Sequence, residues 1–484
     1  MVTKRAGTDA LDRGAFEAAH ASGGHCPAAA PAAGATAGRE VPSAPGKHWL
    51  LGHLPLLRRG ILPALVELRA AGPVVTVQAG TGSTYVVNDG ALAHEILVDK
   101  NQVFGKERMI RGFQAATGDG LNTLEWAEHQ ERRRIVTPAF GRASTAHAAP
   151  LICQVAADFA RRWPVGTPLE MDREMLKLSA DITVRCLFRS EADPDTMSWL
   201  ATKMSTLSKG VMLRMAAPAW CPPLPTPESI DRWRAKRRVR QVVQGLRERH
   251  TPTERRDDLL SLLNAAACPA PGAPGIPSTV VSDELVTFLG VGSETIGVAL
   301  AWAWHELARN RDLEQAVQRE ADALFNSGNP LPEKVDEHLP LSTQVVMEAL
   351  RLYPLPVVPR NALREVTVGG FRFPRGADVL LNLYGIHRDP ALHPRPDTFD
   401  PYRWAPESAR TALRNAYLPY GAGAHRCVAA PFAALSGAIA LATLAAQFQL
   451  RPADPHCQVR AVAGVVTRPD RLVMTATPRT GKTI

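Results

Sequence analysis

A mainly α-helical fold with one small β-rich region is the architecture this sequence predicts, and three observations predict it. From Ala91 onward apolar residues recur at helical spacing, in segments such as 151–163, 175–188 and 228–250. Two earlier runs, 74–78 and 84–88, alternate in the manner of strands and flank the turn residues Gly80-Thr81-Gly82, which reads as a hairpin. Finally, 283–310 reads as one long helix that is apolar nearly all round, and such a helix belongs at the centre of a fold.

The remaining elements follow in chain order. Residues 1–44 are dominated by Ala, Gly and Pro; they cannot bury enough surface to offset ordering entropy and read as a disordered leader. Residues 45–480 read as a single domain, and 481–484 as a tail. A short helix over 62–71 precedes the hairpin. The segment 216–227 carries too much proline for a helix interior, and 265–278 reads as a flexible surface connection.

Composition narrows the function classes. With 484 residues, 45% hydrophobic and 21% charged, the chain can bury a large core. Lys and Arg outnumber Asp and Glu by 56 to 47, a basic balance that suits acidic partners. No zinc-finger spacing, RNA-binding aromatic motif or long basic run accompanies it, so nucleic acid is not an expected partner. The seven cysteines (26, 153, 186, 221, 268, 427 and 457) are odd in number and scattered without a CxxC pair, which argues against a disulfide framework and fits a reducing compartment. No signal-type h-region and no run near ~20 apolar residues is evident, so a soluble, cytoplasmic, monomeric protein without a membrane span is expected.

One cysteine stands out. In LPYGAGAHRCVAAPFAA (418–434), Gly421 and Gly423 allow a tight loop, and Cys427 is expected to open an apolar helix over 428–448. A thiol at a helix N-terminus has its thiolate stabilised by the dipole and nearby N–H groups. His425 and Arg426 add positive charge. Read alone, Cys427 could equally be a buried structural residue, or a nucleophile with His425 as its base.

The stretch from Tyr420 to Ala429 resembles the heme-binding loop of the cytochrome P-450 family, FxxGxHxCxG. Gly423, His425 and Cys427 match it; Tyr420 stands for the usual Phe and Ala429 for the usual Gly. Three further motifs follow the family's order. Glu348 and Arg351 match its ExxR helix, with Arg403 where the third member of that network belongs. Leu289–Ile296 (LGVGSETI) matches (A/G)Gx(D/E)T, with Val291 at the usual small position. His129 and Arg133, in WAEHQERRR, match HxxxR.

The resemblance implies a triangular helical prism, with heme b between the long central helix and the Cys-ligand helix. It implies Cys427 as the iron ligand, and His129, Arg133, Arg360 and His425 as partners of the heme propionates. Glu294 and Thr295 would then form the acid–alcohol pair that delivers protons for O2 activation, and Glu348, Arg351 and Arg403 a structural network. Monooxygenation is the implied reaction; a peroxide-driven peroxygenase and a catalytically silent heme protein are the alternatives. No flavin or nicotinamide domain is recognisable, so electrons would come from NAD(P)H through a separate ferredoxin and ferredoxin reductase, with Arg132, Arg134 and Arg426 as candidate docking cations. Phe288, Leu289, Val291, Val357, Val358 and Val466 are the expected pocket residues. Their apolar character suits a terpene or polyketide skeleton, and the soluble, Ala/Arg-rich form resembles actinomycete enzymes of secondary metabolism.

Overall fold

A helix of 32 residues, Ser278–Arg309, runs through the interior and organises everything else. The computed structural model describes residues 38–79, 82–217, 225–252, 254–269, 275–325, 335–405 and 413–479. The helix Met171–Ile182 lies against the central helix along much of its length. Their closeness depends on Gly297, where an added Cβ would sit 2.9 Å from the Leu176 Cα. A second buried helix, Ala430–Gln447, packs on Arg142–Ala160 and on Pro340–Leu352.

These two interior helices correct one expectation. Both Ser278–Arg309 and Ala430–Gln447 are long and apolar enough to cross a membrane on length and composition alone. Their most apolar windows are 72% and 78% buried inside the fold, and burial in a protein core accounts for that apolarity.

The β-rich region is larger than the hairpin suggests. Val74–Ala79 and Gly82–Val87 pair antiparallel, and Gly82–Val87 then pairs parallel with Asp378–Leu381. Val358–Ala362 and Phe104–Gly105 complete the five strands. A separate sheet joins Pro168–Glu170, Val473–Pro478 and Phe448–Pro452. Most of the expected leader lies outside the described residues. Its last part does not: Ser43 bridges to Thr76, Arg39 bridges to Phe371, and Ala44 is buried.

The expected helix at 151–163 starts earlier, at Arg142, and ends at Ala160. The one at 175–188 spans Met171–Ile182 before widening into a π turn, Thr183–Leu187. Residues 218–224 of the loop expected at 216–227 and 270–274 of the one expected at 265–278 lie outside the described residues; 265–267 still belong to the helix Leu259–Ala267, and Ser278 already opens the central helix. Cys26 and Cys221 also lie outside them; among the described residues, Cys153, Cys186, Cys268, Cys427 and Cys457 are free.

Candidate active site

The loop before Ala430–Gln447 is closed by its own backbone. Gly421 N–H donates to the Leu418 carbonyl (3.0 Å), Arg426 N–H to Gly423 (3.0 Å) and Cys427 N–H to Tyr420 (2.9 Å). Gly421 and Gly423 both have φ +67°, the left-handed region that favours glycine. At Gly423 a side chain is also excluded by contact, because a Cβ would collide with the Leu97 carbonyl. Ala429 sits at φ −88°, ψ 10°, a conformation open to alanine, so the off-pattern methyl carries no backbone cost. The helix begins three residues after Cys427, since Ala429 serves as its N-cap and Pro431 stands in its first turn.

Cys427 keeps free surface although its thiol lies in a crowded environment. Burial pushes its pKa up, while the Ala429 N–H and the guanidiniums of Arg133 and Arg426 pull it down. The thiolate therefore gains from a further partner at sulfur.

Beside the sulfur lies a cluster of cations without an adequate anion. Arg133 donates to the Arg426 carbonyl at 2.6 Å. The His129 and His425 rings stand 4.3 Å apart, and the Nδ1 atom of each is buried without a partner. Arg360 is buried and hydrogen bonds to the carbonyl of its own neighbour Pro359, at 2.8 Å. Burial lowers Arg360 to about 10 and His129 to about 4, the latter with help from Lys106 and Arg133. Lys106 is a member that the sequence motifs do not announce. It is buried, held down to about 8 by burial and by Arg360, and its ammonium donates to the Leu124 carbonyl at 2.8 Å. Buried, mutually repelling cations call for an anion. A cofactor that brings an iron to Cys427 and two carboxylates to these cations would meet that need, so these residues fit heme b.

Glu348, Arg351 and Arg403 come together as expected. Glu348 and Arg351 are fully buried and joined by two hydrogen bonds, 2.9 and 2.8 Å. Glu348 also accepts from Arg403 (3.0 Å), the Trp404 indole (2.9 Å) and the Asp400 N–H (3.0 Å). Arg351 donates onward to the carbonyls of His387 and Pro396, at 2.7 Å each. An i,i+3 pair that would count for little on a surface thus becomes a satisfied buried network.

Glu294 and Thr295 border a largely apolar cavity between the central helix and the helix Pro194–Ala216. Val286, Gly290, Val291, Glu294 and Thr295 line it at helical spacing, opposite Met204, Leu207, Ser208 and Val211. The Thr295 hydroxyl donates to the Val291 carbonyl at 3.0 Å. Burial pushes Glu294 up to about 7, against the pull of the Ser208 hydroxyl and Arg468.

Of the six expected pocket residues, Val291 lines this cavity. Phe288 and Leu289 lie on other faces of the same helix: Phe288 stacks on Phe140 (centroids 5.2 Å apart) and Leu289 is fully buried in the helical core. Val357 packs with Leu62, Leu65 and Tyr384, and Val358 with the core under the sheet. Val466 packs on Val298 and Trp302, while its neighbour Val465 reaches the cavity. Among the expected docking arginines, Arg132 turns inward to buried Glu284 (3.2 Å), whereas Arg134 stays exposed.

Comparison with known proteins gives a consistent picture. The cytochrome P-450 family model matches residues 42–475. Cyclooctatin synthase of Streptomyces melanosporofaciens is 32% identical over 433 residues, covering 87% of this chain and 93% of that protein. Cyclooctat-9-en-7-ol 5-monooxygenase of the same organism is 32% identical over 418 residues, covering 85% and 89%. Pentalenene oxygenase of Streptomyces avermitilis is 28% identical over 442 residues, covering 90% and 97%. A cytochrome P-450 crystal structure superposes with a TM-score of 0.73 at 23% identity, covering 88% of this chain and 99% of that one.

Proposed function

The chain belongs to the cytochrome P-450 family and is a heme-thiolate monooxygenase, and from that premise we propose that it hydroxylates the hydrocarbon skeleton of a terpene. The observation that carries the substrate class is the cavity wall. Val211, Val286, Val291 and Met204 offer apolar contact, with the acid–alcohol pair at one edge. Such a wall recovers the hydrophobic free energy of a terpene and offers an anionic ligand no counter-ion. The names of three relatives point the same way.

Bound heme supplies activation of O2, with the thiolate ligand favouring O–O cleavage. The protein's own residues do the rest in this reading. Cys427 holds the iron; Lys106, His129, Arg133, Arg360 and His425 hold the propionates; Glu294 and Thr295 pass protons; the apolar wall excludes water and orients the skeleton. Because Glu294 lies near neutrality, it can both give up and regain a proton at cellular pH.

The reading extends to partners: a separate ferredoxin and its reductase, meeting a monomeric, cytoplasmic enzyme. Exposed Arg134, one residue from the Arg133 contact to the Cys427 loop, supports an acidic partner there. The test is a set of C10, C15 and C20 terpene hydrocarbons and alcohols, scored by the low-to-high-spin change in the Soret band. Turnover in ¹⁸O2 should then give a product carrying one labelled oxygen. Spin changes with polar or charged compounds and none with terpenes would overturn the substrate class. Absence of the ~450 nm band of the reduced carbon monoxide complex would overturn thiolate ligation.

A further inference from the structure

A second polar cavity lies outside the site described above. It is a cleft of about 390 Å³ lined by Leu151, Arg185, Arg189, Ser190, Glu191, Arg249 and Thr251. Three guanidiniums thus face one carboxylate, and Glu191 is 81% exposed, where water screens it. Arg185 stands 3.6 Å from Asp158 and 3.7 Å from Glu191, too far for either carboxylate to take its N–H donors in a hydrogen bond. Asp158 is itself shared with Arg161.

The walls hold donors that nothing in the fold satisfies. Ser190 is 5% exposed and its hydroxyl has no partner. The Nε of Arg189 is likewise buried and unpartnered. The backbone also departs from the ordinary here: Arg189 has φ +45°, an uncommon conformation for a side chain of that size. It is held there by the Thr251 N–H, which donates to the Arg189 carbonyl at 3.0 Å. On the opposite wall Arg249 is fixed by its Nε donating to the Glu191 carbonyl at 3.3 Å, which leaves its terminal nitrogens for a ligand. Three like charges with unused guanidinium donors converge on one hollow, and a multiply charged oxyanion satisfies both.

We propose that this cleft is a binding site for a phosphate group, contacted by the guanidinium groups of Arg185, Arg189 and Arg249. Arginine forks match the tetrahedral oxygens of phosphate, and a dianion matches the excess charge of the lining. The ligand is either free phosphate or a phosphomonoester whose remaining part projects into solvent.

Thermal melting of the heme-loaded enzyme tests the site, in chloride, inorganic phosphate and adenosine monophosphate at one pH and ionic strength. Phosphate should raise the melting temperature saturably, and chloride should not. A lower half-saturating concentration for the monoester assigns the ligand to an ester; the reverse order assigns it to free phosphate. Arg249→Gln should weaken the response about tenfold. Arg189→Gly guards against misfolding, because glycine relieves the positive φ while deleting the guanidinium. That variant should melt no lower in chloride and lose the phosphate response. Identical melting in phosphate and chloride, or a full phosphate response in both variants, overturns the proposal.

Discussion

Glu294 carries the pH dependence that a single residue can impose on this molecule. Its carboxyl is raised to about 7 by burial, so the fold favours the protonated form. The stability that follows is complete below the ordinary carboxyl range and is lost as pH climbs through about 7. Glu294→Gln should therefore raise the melting temperature relative to the parent at pH 8 and leave it unchanged at pH 5; equal effects at both pH values would contradict the assignment. The same residue sets a kinetic expectation. Ser208 and Arg468 both pull the Glu294 pKa down, and Arg468 is itself anchored to the Ser205 hydroxyl. Ser208→Ala and Arg468→Gln should each displace the pH profile of coupled turnover to higher pH. A profile that keeps its position while turnover falls would show that these side chains act on packing alone. Thr295→Ala should divert electrons to peroxide at the expense of product, measured as the ratio of peroxide formed to NAD(P)H consumed.

Among the elements, the Cys427 loop and the ExxR helix were legible because their chemistry is written in polar residues at fixed spacing. Gly423 illustrates what such a pattern means physically. It needs a positive φ and also close contact with the Leu97 carbonyl, whereas Gly421 needs only the φ and has open space around it. Gly421→Ala should thus cost about 1–2 kcal/mol of backbone strain. Gly423→Ala should cost more and reduce heme loading, read as the absorbance ratio of Soret band to protein. Equal loading in the two variants would remove the contact argument. In the ExxR helix, Arg351→Ala removes two of the buried Glu348 hydrogen bonds and the donors to the His387 and Pro396 carbonyls, a loss of about 3–5 kcal/mol, enough to prevent recovery of folded enzyme. Other elements were not legible. The parallel pairing of Gly82–Val87 with Asp378–Leu381 joins segments almost 300 residues apart, and no local periodicity records it. Which residues face the cavity was not legible one residue at a time, for a related reason. An apolar run such as Phe288-Leu289 looks uniform in sequence, and the helix then turns Val291 to the cavity and Leu289 to the core. Lys106 escaped because a lone lysine carries no pattern; burial among Arg360 and His129 is what gives it meaning.

For the molecule as a whole, the scattered origin of the cation cluster ties folding to the cofactor. Lys106 follows an edge strand, His129 and Arg133 lie on the helix Trp126–Val136, Arg360 is in Val358–Ala362, and His425 precedes the thiol. Without an anion, Lys106, Arg133 and Arg360 repel one another across the meeting point of the helical and β-rich parts, and burial beside them keeps His129 and His425 neutral. Heme binding should therefore act as a clamp, and the apoprotein should melt at a clearly lower temperature and with less cooperativity than the loaded enzyme. The electrostatics also fix a proton count. Lys106, lowered to about 8 by burial and Arg360 against the pull of Glu125, is partly neutral at pH 8, and a further carboxylate beside it favours its charged form. At pH 8 protonation of Lys106 should then offset part of the proton that the Cys427 thiol releases on binding iron, while at pH 6, where Lys106 is already charged, this uptake vanishes. Calorimetric titration of apoprotein with heme in buffers of different ionisation enthalpy measures that uptake directly. Lys106→Met should abolish the difference between the two pH values while leaving the thiolate spectrum intact. If the parent and the variant exchange the same number of protons at pH 8, the propionates are neutralised by the arginines and histidines alone, and Lys106 serves only to anchor the Leu124 carbonyl.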